Sequence, residues 1–152
     1  MIKYFIIQFV AAFFGCVFFA ATLNASKKEL TWSGLTGAFG WLSYCILLKL
    51  NVSTFYSMFL ATVVVSLISR FLSHLRQAPS TVFLIPGILP LVPGAGIYYT
   101  LCAVLDGDSL TGFYKGVETF KMAGAIALGI MIITSLPYKT FNFIKISKSK
   151  KL

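Results

Sequence analysis

Ile85-Pro86-Gly87-Ile88-Leu89-Pro90-Leu91-Val92-Pro93-Gly94-Ala95-Gly96-Ile97-Tyr98 places three prolines and three glycines between positions 86 and 96 of an otherwise apolar stretch. The stretch lies inside an uncharged run from Val82 to Leu105 that Asp106 closes. Such a run belongs in a core or a bilayer, where a backbone group without a partner costs several kcal/mol. Proline removes a donor and crowds the carbonyl four residues back. Each proline also pushes its predecessor (Ile85, Leu89 and Val92) away from helical angles. The reading is a helix broken at membrane depth, a geometry tolerated where protein or a watery cavity surrounds it.

The rest of the chain agrees with a bilayer setting. Of 152 residues, 58% are hydrophobic and 11% charged, and the mean hydropathy is +0.88. Soluble domains carry about 25% charged residues. The apolar residues come in five blocks, about 4–23, 34–48, 54–68, 82–105 and 122–136. A spanning helix needs about 20 such residues, at about 1.5 Å of rise each. The expected fold is an all-α integral membrane protein, a single domain of about five transmembrane helices with the fourth broken by the Pro/Gly motif. The first block, at about 20 residues, exceeds the 7 to 15 of a signal-peptide core, so it reads as an uncleaved helix.

Five spans put Lys27, Lys28, Arg70, Arg76 and lysines 139, 145, 148, 150 and 151 on one face, nine basic residues, and Lys3, Lys49, Lys115 and Lys121 on the other, four. The richer face is expected to be cytoplasmic. The N-terminus is then outside the plasma membrane and the basic tail, 138–152, inside. The net charge of +9 needs no nucleic acid to explain it. The tail suits anionic lipid headgroups, at about 1 kcal/mol per lysine, though a solvated topology anchor is the simpler reading.

Motifs for chemistry are missing. Cys16, Cys45 and Cys102 sit in three different blocks and read as small buried apolar residues, not metal ligands. His74 is alone. Asp106-Gly107-Asp108 begins like a calcium loop but continues with Leu110, Thr111 and Val117 where ligands and glycine are needed. Asn24-Ala25-Ser26 and Asn51-Val52-Ser53 match the glycosylation pattern but hug the membrane. Neither an enzyme nor a cofactor or metal site is indicated. All four acids, Glu29, Asp106, Asp108 and Glu118, fall at expected span ends or in loops. A proton-coupled carrier commonly keeps a titratable group inside the membrane, so the expectation is that another polypeptide supplies it.

Broken helices form substrate and ion sites in transporters, with exposed amide ends facing anions and exposed carbonyls facing cations. Pro86, Gly87, Pro90, Pro93, Gly94 and Gly96 are therefore candidate pathway residues, with Tyr98 and Thr100 as weaker candidates for polar contacts. The competing reading is a kinked helix healed by its neighbours. Gly34, Gly37 and Gly40, with the pairs Ala125/Gly129 and Ala11/Gly15, let helices approach closely, either within the bundle or against a partner or a higher oligomer.

At Pro86–Gly96, followed closely by Tyr98, the sequence resembles the C-terminal half of the threonine/serine exporter family. Length, five-span pattern and basic tail extend the resemblance over the whole chain. It implies the small membrane subunit of a two-chain exporter of threonine, serine or a dicarboxylate such as succinate, working with a larger subunit that has its own spans and a hydrophilic N-terminal region. An odd number of spans inverts each half relative to the other, the inverted-repeat plan of many transporters. A non-transporting assembly or scaffold protein and a self-associating pore are the competing readings.

The asymmetry of basic residues generates the first test. Reporter fusions are expected to place the N-terminus outside and the C-terminus inside; both termini on one side would refute the topology and make the fourth segment re-entrant.

Overall fold

Turn-forming residues between the apolar blocks divide the chain into helices. The computed structural model describes residues 2–136, and the expected tail at 138–152 lies outside them. Helix α1 runs Ile2–Thr22, α2 Leu30–Lys49, α3 Thr54–Arg76, α4 Thr81–Ile88, α5 Gly94–Leu105 and α6 Ser109–Ser135, with a 3₁₀ turn at Leu89–Leu91 between α4 and α5. Among the described residues there is no strand, and the protein is an all-α membrane protein.

The two matches to the glycosylation pattern have a backbone role. Asn24 and Asn51 adopt positive φ, 56° and 58°. The following amides close back five residues, Ala25 N–H to Ala20 O and Val52 N–H to Leu47 O, both at 3.1 Å. These are left-handed caps that satisfy the last carbonyls of α1 and α2, and asparagine tolerates that conformation best after glycine.

Three helices are long and apolar enough to cross a membrane by themselves: α1, α3 and α6. The pair Thr81–Leu91 and Gly94–Leu105, bent by 47°, adds a fourth crossing if it is one span. The expectation of five differs from this count at α2. That helix has 20 residues, but Ser33, Gly34, Thr36, Gly37 and Gly40 dilute its hydropathy, and all five are buried. It is less apolar because it faces protein.

Helix α2 packs against α1, α3 and α4, α3 packs against α6, and α6 carries α5. Met58, Ala61, Val65, Leu91, Ala125 and Ile126 form the central apolar cluster. At one end Arg76, closing α3, holds Glu29, preceding α2, with Nε at 3.0 Å and Nη2 at 2.9 Å from its carboxylate. At the opposite end Lys49 lies over the rings of Tyr4 and Phe5. Arg70 is buried on α3, and its guanidinium donates to Ile133 O. A cation there caps the C-terminal end of α6, where carbonyls lack intrahelical partners.

The glycines of α2 set the interhelical distances. A Cβ at Gly37 would collide with Cys16 Sγ on α1 and lie 3.3 Å from Gly87 Cα on α4, and one at Gly40 would collide with Val65 on α3. Gly15, by contrast, has nothing within 4 Å of such an atom. Overpacking a tight contact costs about 1–3 kcal/mol. Gly37→Leu is therefore expected to lower the melting temperature in detergent clearly, and Gly15→Ala to leave it within a degree or two; equal effects would refute this packing.

Candidate functional site

The broken segment is healed in part by its neighbours. Pro86 sits inside α4, so the carbonyl of Val82, four residues back, loses its helical donor. Ser33 Oγ on α2 donates to that carbonyl at 3.0 Å, sharing its proton with Glu29 O. Pro90 falls in the first turn of the 3₁₀ helix, where a missing N–H is least costly. The carbonyl it frees, Pro86 O, accepts from Leu89 N–H. Leu89 O in turn accepts from Val92 N–H at 3.2 Å.

These bonds correct the expectation that all three prolines break the helix. Ile85 remains within α4 and Leu89 keeps helical angles of −47° and −46°. Val92 alone turns extended, with ψ of 126°. The break is thus concentrated at Val92-Pro93-Gly94, where Gly94 N–H turns back to Val92 O at 2.8 Å.

The candidate pathway residues fall into separate environments. Pro86 and Gly87 are buried where α4 meets α2 and α3, and a Cβ on Gly87 would lie 3.0 Å from both Thr36 and Val65. Pro90 and Pro93 are half-buried. Gly94 is exposed with open space around it, so extra bulk there meets nothing within this chain. Tyr98 is 63% exposed with its ring against Tyr99. Thr100 donates to Gly96 O at 2.7 Å, the ordinary internal partner of a helical threonine. Gly96 packs so closely on α6 that a Cβ there would collide with Thr119.

Gly96 reaches a cavity. An open cleft of about 200 Å³ lies between α5 and α6, lined by Gly96, Tyr99, Lys115, Glu118, Thr119 and Met122. Lys115 Nζ sits over the Tyr99 ring at 5.3 Å from its centroid, and Thr119 donates to Lys115 O at 2.7 Å. The walls come together because small residues interleave: Gly116 takes Thr100 against it and Gly112 takes Val104. Beyond the turn at Gly107, whose φ is +83°, Asp108 caps α6 by accepting from Thr111 N–H at 3.1 Å. Those hydrogen bonds from Thr111, with a lesser contribution from the charge of Lys115, hold the Asp108 carboxyl below its ordinary range.

Helix α6 is longer than a membrane crossing requires. Its 27 residues span about 40 Å, against a hydrocarbon core of about 30 Å or roughly 20 residues. Glu118 lies within this helix, in the part that the sequence reading gave to a loop. Residues 109–121 read as a loop because they hold two lysines and a glutamate; the Asp108 cap and the glycine packing on α5 make them helix. Lys115, Glu118 and Thr119 were missed for the same reason, and Tyr99 and Met122 because nothing in their apolar blocks set them apart. Charges spaced at 115, 118 and 121 with glycines at 112 and 116, and no proline between 93 and 137, were the available signal.

Comparison with known proteins is consistent with this architecture. A family model described as "Threonine/Serine exporter, ThrE" matches residues 8–136. A relative from Haemophilus influenzae (strain ATCC 51907 / DSM 11121 / KW20 / Rd), described as "Uncharacterized protein", is 27% identical over 129 residues, covering 80% of this chain and 43% of the relative. The chain thus spans less than half the length of that relative. No solved structure matches significantly.

The close approach of Gly96 to Thr119 generates a suppressor test. Gly96→Ala is expected to loosen α5 from α6 and lower the melting temperature in detergent clearly, and Thr119→Ala in the same chain to restore most of it. A double variant no better than Gly96→Ala would show that the contact does not hold the cleft together.

Proposed function

The chain belongs to the threonine/serine exporter family, and from that premise we propose that it is the membrane subunit of an exporter of small polar metabolites that works with a larger partner subunit. The substrates are amino acids of the threonine and serine type or a small dicarboxylate such as succinate. The location is the plasma membrane, crossed five times, with α2 as the second crossing, the N-terminus outside and the C-terminus cytoplasmic.

One observation carries the need for a partner. α5, the half-helix beyond the break, has no buried residue and packs on α6, while Lys115 and Glu118 open outward from the cleft these two helices form. In this reading the two charges lie at membrane depth, where ionisable groups face a bundle interior or a watery cavity because lipid penalises them heavily. A second membrane body against this face supplies that interior. The relative's additional length, more than half of its chain, is of the size such a body requires.

Breaks at mid-membrane support transport in particular. Pro93 and Gly94 lie level with the region of α6 just beyond Thr119, since Gly96 touches Thr119 across the antiparallel pair. That level is near the middle of the 109–135 helix. Discontinuous helices meeting at the midplane between two halves are a recurring site of substrate binding.

The partnership is testable by reconstitution. Liposomes holding this chain alone are expected to show no gradient-driven flux of labelled threonine, serine or succinate, and liposomes holding both subunits to accumulate at least one of them under an imposed pH gradient. Flux by the lone chain would overturn the division of labour.

A further inference from the structure

The cleft between α5 and α6 holds one cation and one anion that do not neutralise each other. Lys115 and Glu118 both line it, three positions apart on α6. Among the described residues, the one ion pair joins Arg76 to Glu29, so Glu118 has no cationic partner there, and Lys115 is turned over the Tyr99 ring. The hydroxyls beside them are already committed, Thr119 to Lys115 O and Thr100 to Gly96 O. Opposite charges held in one cleft without pairing are arranged for a ligand that carries both.

We propose that this cleft is the subsite for the charged head of a zwitterionic α-amino acid, with Lys115 facing its carboxylate and Glu118 its ammonium group. The inference rests on the exporter reading above and selects among its substrates. The volume, about 200 Å³, lies below the roughly 300–1,000 Å³ of pockets for drug-sized ligands, as suits a molecule of a few heavy atoms. The charge balance decides the class. A zwitterion matches both groups and leaves the loaded site neutral, which a low-dielectric surround favours. A dicarboxylate satisfies Lys115 but sets its second carboxylate against Glu118, and like charges at that range repel strongly away from water. Tyr99 and Met122 close the cleft with ring and thioether surfaces. Its outer side is open, so a second membrane body completes the enclosure.

The test uses inverted membrane vesicles from cells in which variants replace the native copy, so that whatever partner exists is present. The readouts are the half-saturating concentration for labelled threonine and the inhibition by two analogues: N-acetylthreonine, which lacks the ammonium group, and threonine methyl ester, which lacks the carboxylate. Lys115→Met and Glu118→Gln are each expected to raise the half-saturating concentration tenfold or more. Glu118→Gln is also expected to erase the preference for threonine over N-acetylthreonine, and Lys115→Met that over the methyl ester. Lys121→Met, outside the cleft, serves as the control for a nearby lost charge and is expected to change neither readout. Where a neutral variant fails to accumulate, Glu118→Asp and Lys115→Arg are expected to keep the corresponding preference. Threonine uptake with both preferences unchanged in the neutral variants overturns the subsite and leaves the exporter reading standing. Uptake of succinate without threonine overturns the zwitterion assignment. Vesicles that move no threonine, serine or succinate refute the exporter reading and the subsite together.

Discussion

A backbone carbonyl inside a bilayer must find its donor within the protein, and the architecture of this chain depends on that requirement. Pro86 strips Val82 O of its helical partner, and Ser33 on another helix replaces it. The replacement fixes α4 against α2 at one depth and one rotation. It also explains why the segment stays helical through Pro86 and the 3₁₀ turn, then fails at Val92, which turns extended ahead of Pro93. Proline alone does not set where a membrane helix breaks; the neighbouring donors do.

The same requirement shapes α2. A helix that supplies a hydroxyl to another backbone must approach it closely, and Gly37 lies against both Cys16 and Gly87. Its hydroxyls are satisfied locally when they face no such task, as Thr36 is by Trp32 O and Ser43 by Phe39 O. Small and polar residues therefore gather on the helix with the most neighbours. In water the most buried helix is the most apolar. In lipid the reverse holds here, since association relies on close backbone approach and not on hiding apolar surface from solvent.

That inversion decides what was legible in the sequence. α1 and the Val82–Leu105 segment were readable because long uncharged runs have one stable setting, and the break was readable to within a few residues from Pro93. Survival of the helix through Pro86 was not, because its cause, Ser33, lies 49 residues away in the chain. The first half of α6 was hidden for a related reason. Lys115, Glu118 and Lys121 look like a loop until α5 is known to pack on Gly112 and Gly116. Gly96 was legible as a close backbone approach, though its neighbour proved to be Thr119 and the cleft beside it. Gly94, from an identical signal, stands in open space; spacing alone does not distinguish the two.

The exposed face of α5 and α6 gives these pieces a common direction. Leu105 and Phe120 are 85% and 81% exposed, as residues against lipid or another protein are, and Glu118 beside the cleft is exposed as well. Apolar surface suits either environment, whereas a carboxylate suits only one of them, a protein-lined or watery space. The charge is therefore what favours a second body in the proposed reading. The relative from Haemophilus influenzae continues well beyond the part this chain matches. A half-helix without burial, a break at Val92-Pro93-Gly94 and two charges beside it that do not pair with each other are the features that the partner subunit proposed above would cover.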